Sequence, residues 1–131
     1  MTLRYAADLR NAKLDSITTF VGNAALLRIY DGTQPATGGT PTTLLAELVC
    51  GTPFAAAASA GVLTLGAVTQ DPSANATGTA TWFRLVKADG TTHCFDGTCG
   101  TSGADLNLTT TSIVSGQPVQ ILSASITDGN P

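Results

Sequence analysis

The sequence predicts a mainly β fold, an antiparallel β-sandwich or jelly-roll-like domain of seven to eight strands with one N-terminal amphipathic helix. Three observations predict it. Helical periodicity is confined to the first twenty or so residues. From residue 24 onward, short apolar runs alternate with Gly, Pro, Asn, Asp and Thr. Asp89-Gly90 sits between two β-type runs, the strongest short hairpin signal a sequence offers. The chain accordingly divides into an N-terminal helical arm, 1–23, and a β-sandwich domain, 24–131.

The helix is expected over residues 6–21. Ala6, Leu9, Leu14, Ile17, Phe20 and Val21 fall on one side at 100° per residue, while Asp8, Asn11, Asp15 and Thr18 mostly face away. Gly22-Asn23 ends it with residues that tolerate a left-handed backbone. A helix of this length is marginal alone in water, so its stripe must dock on its own sheet or on a neighbouring subunit.

Strands are expected over 25–30, 43–50 and 61–69, with Thr33 to Pro41, Pro53 to Ala60 and Asp71 to Gly78 as loops. In the second strand Leu44, Ala46, Leu48 and Cys50 share a face. Residues 79–88 and 91–95 form the hairpin, and a two-residue turn pairs Val86 with His93, Leu85 with Cys94 and Arg84 with Phe95. Asp96-Gly97 either turns again or ends the strand. Residues 104–109 and 119–127 complete the set; in the last strand Val119, Ile121, Ser123, Ser125 and Thr127 share one face, and Gln120, Leu122, Ala124 and Ile126 the other. The polar tail from Asp128 to Pro131 is expected to fray.

Composition narrows function. Apolar residues make up 43% of the 131, but charged residues only 11%, far below the roughly 25% of an average domain. A surface of hydroxyls and small side chains is covered by a partner at modest desolvation cost. The net charge is −3, and the six cations, Arg4, Arg10, Lys13, Arg28, Arg84 and Lys87, are scattered. Direct nucleic-acid binding, which needs clustered cations, is not expected. No run approaches the length of a membrane span, and the charged start lacks a signal-peptide core, which places synthesis in the cytoplasm and makes the sequons at Asn75 and Asn107 incidental.

No constellation of side chains points to catalysis, to a cofactor or to a metal. His93, Cys94 and Cys99 fall short of a zinc set, and adjacent strand residues point His93 and Cys94 to opposite faces. If Asp96-Gly97 turns tightly, Cys94 and Cys99 face each other and could pair as a disulfide; otherwise all three cysteines are small, semi-buried residues. His93 reads as a satisfied structural histidine. Most of the nine acids sit at turns, and Glu47 stands alone in mid-strand. Trp82, Phe83 and Phe95 form the one aromatic concentration, either core packing or a sugar-binding platform.

Several segments carry a resemblance. Leu9-Arg-Asn-Ala-Lys-Leu-Asp-Ser-Ile-Thr18, Leu27-Arg-Ile-Tyr-Asp-Gly-Thr-Gln-Pro35, Leu44-Leu-Ala-Glu-Leu48, Gly78-Thr-Ala-Thr-Trp-Phe-Arg-Leu85 and Gly103-Ala-Asp-Leu-Asn-Leu108 resemble small virion structural proteins of tailed bacteriophages and prophages. The resemblance spans nearly the whole chain and implies a head-region protein of the capsid cement, or decoration, type. Such proteins bind the outside of a shell whose major capsid protein has the HK97-like fold, self-associate as dimers or trimers, and clamp neighbouring capsomers. It also implies a location on the virion capsid surface after assembly in the host cytoplasm. A tail or head–tail joining protein is the alternative within the same class, and a carbohydrate- or receptor-binding module the alternative outside it. No residue carries over as a contact site.

Overall fold

A computed structural model describes residues 3–128. The chain is mainly β with one N-terminal helix, α1 (Ala7–Val21), followed by β1 (Leu26–Tyr30), β2 (Leu44–Cys50), β3 (Val62–Thr64), β4 (Val68–Thr69), β5 (Gly78–Thr79), β6 (Trp82–Val86), β7 (His93–Gly100), β8 (Leu106–Leu108), β9 (Ser112–Ile113) and β10 (Ile121–Thr127). Eight strands form one sheet in the order β3-β10-β8-β7-β6-β1-β2-β4, and β5 pairs with β9. All ladders are antiparallel except β7 with β8. The two marginal strands, β3 and β4, are consecutive in sequence, so residues 65–67 join opposite edges of the sheet. The sheet must therefore curl until its edges approach, and its concave face encloses the core.

That face carries Leu27 and Ile29 of β1, Leu48 and Cys50 of β2, Phe83 and Leu85 of β6, and Leu106 and Leu108 of β8, all buried. Leu14 and Val21 of α1 belong to the same core. The ribbon formed by residues 71–80 and 111–119 adds Ala74, Ala80, Ile113 and Val119. Every residue of β6 is buried: on the convex side Trp82 lies against Asp31 and Thr42 of the 31–43 loop, and Arg84 against Asp96 of β7. Trp82 stacks on Tyr30 with ring centroids 4.5 Å apart, and its Nε1 donates to the Asp31 carbonyl at 2.9 Å.

The structure corrects several expectations. The helix docks on its own fold, but its buried stripe is narrower than the sequence implied. Leu14 and Val21 are buried and Ile17 half-buried, whereas Leu9 and Phe20 are 48% and 52% exposed. Its polar side turns inward instead: Asp15 Oδ1 accepts the Ala58 N–H at 2.8 Å, Asn11 Oδ1 accepts the Gly61 N–H at 3.0 Å, and Arg10 donates to the Asp128 carbonyl at 3.1 Å. Those loop amides need acceptors once buried, and the helix supplies them.

The single strand expected over 61–69 is two strands at opposite sheet margins, broken where the Gly66 N–H donates to the Phe54 carbonyl. A hairpin turn precedes it that the sequence did not reveal: Ala60 and Gly61 both have positive φ, and Ser59 and Val62 exchange hydrogen bonds across them. At Asp89-Gly90 only the glycine has positive φ. The loop closes from the Lys87 N–H to the Thr92 carbonyl, and a bulge follows. Val86 pairs with His93 as expected, but Leu85 pairs with Phe95 and Arg84 with Asp96. Asp96-Gly97 does not turn; it lies inside β7, where a Cβ on Gly97 would stand 2.5 Å from the Phe83 ring. A bulge in β10 after Ile121 places Ile121, Ala124 and Ile126 against the core and leaves Leu122 62% exposed. Of the tail, Asp128 is held by its N–H to the Gly61 carbonyl and by Lys13 at 2.8 Å; residues 129–131 lie outside the described residues.

Candidate functional site

Antiparallel register aligns five ionisable residues across four strands on the convex face. Glu47 opposes Arg28, Arg28 opposes Arg84, and Arg84 opposes Asp96. The bulge after His93 shifts the register by one, so His93 joins the same face and its Nε2 lies 3.0 Å from Asp96 Oδ1. Without the bulge, residues three apart on a strand would point to opposite sides. Arg84 meets Asp96 through two bonds, Nε to Oδ1 at 2.8 Å and Nη2 to Oδ2 at 3.1 Å. Its guanidinium lies 5.3 Å from the Trp82 ring. Arg28 pairs with Glu47 at 2.7 Å and reaches the Gly90 carbonyl at 3.1 Å.

The two arginines stand side by side, and each is neutralised by its own carboxylate. Burial pushes the Asp96 carboxyl up, but hydrogen bonds from Arg84 and His93 outweigh it and hold the group below the usual carboxylate range. The hydrogen bond to Asp96 holds Arg84 above its ordinary value. This is a clasp whose donors and acceptors are engaged with one another. It gives His93 a structural partner and brings no nucleophile to it, because Cys94 leaves the strand on the other side of the bulge.

The cysteines are separated. Cys94 and Cys99 lie in one extended strand, about 16 Å apart at the usual rise, where a disulfide needs Cα atoms within about 7 Å. Burial raises all three thiols, Cys50 to about 11 and Cys99 to about 12. Among the described residues no group of three or more His, Cys, Asp or Glu is placed to hold a metal ion. Trp82 is 0% exposed, so it offers no platform on which a sugar could stack.

A cleft of about 460 Å³ lies in the wall of the curled sheet. It opens where β8 is too short to fill its place between β7 and β10. Leu106 pairs with Cys99 on one side and Ala124 on the other. Before Leu106 the chain leaves the sheet, and Asp105 caps the β7 edge by accepting the Thr98 N–H at 3.0 Å. Phe54, Phe83, Phe95 and Leu85 line the cleft, with Ile17 of α1. Elsewhere Leu122, Val114, Val49 and Phe20 are apolar and exposed.

Sequence reasoning misses the clasp because Asp96-Gly97 reads as a turn or a strand end, and neither places Asp96 opposite Arg84. The available signal was the opposite charge of Arg84, lying across the hairpin from it. The cleft had only an indirect signal, the polar, glycine-containing stretch that shortens β8. Comparisons of the chain with protein-family models, with curated proteins and with solved structures find no match.

Proposed function

We propose that this chain is a structural component of a tailed-phage virion, in its most specific form a capsid cement protein that binds the outside of a shell of the HK97-like fold and stabilises contacts between capsomers. The observation that carries this reading is the way the charged residues are used. The groups that come together, Arg28, Glu47, Arg84, Asp96 and His93, are committed to holding strands in register. What remains outside is a sparsely charged exterior with isolated apolar side chains such as Leu122 and Val114. Such an exterior suits repeated lattice contacts, where modest affinity per copy is multiplied over many copies. The segments resembling phage head proteins support the same reading. It includes a sandwich-type form for the curled sheet, with the β1-β2-β4 side facing the β8-β10-β3 side across the core.

The test is the place of the chain in the particle. In virions purified from the phage or prophage that encodes it, antibody labelling is expected to decorate the head at a copy number comparable to the major capsid protein. Label confined to the tail or the neck selects the joining-protein alternative. Absence from purified particles overturns the proposal.

A further inference from the structure

The cleft beside β8 has the dimensions and chemistry of an unfilled strand position. At the level of Leu106, β8 occupies the gap between β7 and β10, so those strands stand two strand spacings apart, about 9–10 Å. Below that level the same gap is bordered by residues 94–97 and 124–127, which line the cleft. Hydrogen-bond alternation shows where the backbone groups point. The Cys99 N–H donates to the Thr81 carbonyl beside β6, while the Thr98 N–H points the other way, to Asp105. The Asp96 backbone therefore also faces the gap. Across it, the Ala124 carbonyl accepts from Leu65 and the Asp128 N–H donates to Gly61, both on the β3 side. Ser125 and Thr127, out of phase with them, turn their backbone groups into the gap.

We propose that this slot accepts an extended strand from a second copy of the chain, supplied by residues 3–6 ahead of its helix. Three features argue for that occupant. Residues 3–6 are in neither helix nor strand, and as four extended residues they match the four-residue borders of the slot. Leu3 and Tyr5 alternate with Arg4, so one face meets the apolar floor of Phe83, Phe95 and Leu85 while the other presents a cation. The rim beside that cation carries the exposed Asp105 carboxylate at the edge of β7. Leu3 is 49% exposed in the isolated chain and would bury on transfer. The inference deepens the virion-component reading and rests on it for its biological setting; the association itself is a property of the purified chain.

The experiment uses the full chain by sedimentation velocity from about 1 µM to 1 mM, with amide hydrogen exchange read at Asp96, Ser125 and Thr127. Concentration-dependent association accompanied by slower exchange at those three amides is the expected result. Ser125→Pro removes a donor that faces the slot and leaves the bonds to β3 in place; it weakens association roughly tenfold or more. Tyr5 is half-buried under Lys13, 4.2 Å from its ring, a contact the transferred arm exchanges for the slot; Leu3→Glu with Tyr5→Glu disables the donor segment and does the same. Mixing the two variants restores a 1:1 heterodimer, one intact slot filled by one intact arm. A chain that stays monomeric throughout, association with unchanged exchange at the three amides, or normal association by the Leu3→Glu/Tyr5→Glu variant overturns the proposal. A monomeric chain that still decorates particles refutes the slot alone and leaves the virion reading standing.

Discussion

Replacing Asp96 with alanine tests the central clasp. The carboxylate is 3% exposed and accepts three bonds, two from Arg84 and one from His93. Its removal strands the Arg84 guanidinium at 10% exposure, opposite Arg28 and without its acceptor. Breaking such a pair from one side costs about 3–5 kcal/mol, because a desolvated charge is left uncompensated. A domain of this size has roughly 5–15 kcal/mol of stability, so Asp96→Ala lowers the thermal midpoint by about 10–20 °C. Removing both partners, Asp96→Ala with Arg84→Met, recovers most of the loss, since an apolar pair of similar volume is close to neutral. Trp82 is the single tryptophan and is fully buried, so its fluorescence reports urea and thermal unfolding directly. A loss under about 1 kcal/mol, or a double variant no better than the sum of the singles, would refute the clasp as a coupled unit.

Four further outcomes follow from the same geometry. Because Asp96 is held below its ordinary 3.8, its contribution is present above that value and disappears as pH falls through the lower folded-state value; melting of the native chain therefore declines more steeply below pH about 4 than melting of Asp96→Asn, and parallel curves would contradict this. Gly97→Ala forces a methyl against the Phe83 ring and destabilises by about 1–3 kcal/mol, with partial recovery when Phe83 is shortened to leucine, both read from urea midpoints. In the native state Cys94 reacts first with Ellman's reagent at pH 8, because Cys50 and Cys99 are held near 11 and 12; unfolding without reductant releases three thiols, and a lower count would demand a disulfide. Ala60→Asn relieves a left-handed alanine at φ 53° and raises stability by about 0.5–1 kcal/mol, whereas a drop would show that the Ala60 methyl packs usefully.

The fold was legible where a local signal sufficed. Apolar spacing located α1 and β2, and Asp89-Gly90 located the hairpin. Register was not legible, because the bulges after His93 and Ile121 each shift the strand by one residue and exchange its faces. Asp96, expected at a turn or a strand end, thereby lies in the middle of a buried pair, and Leu122 passes from a shared face to the surface. The 61–69 segment misled for another reason. Its alternation is genuine, but pairing to opposite margins is decided by partners more than fifty residues away, in β10, and nearer ones in β2. The helix was placed correctly and the width of its buried face was not, since the bonds from Arg10, Asn11 and Asp15 answer buried loop amides and a distant carbonyl that no helical period encodes.

Residues 65–67 tie the two outermost strands of the sheet to each other. In an open sheet the margins peel independently and are the first places to loosen. Here a tug that lifts β4 from β2 is passed within a few residues to β3 and through it to β10, so the rims resist as one. A body hooped in this way yields late and all at once under lateral load.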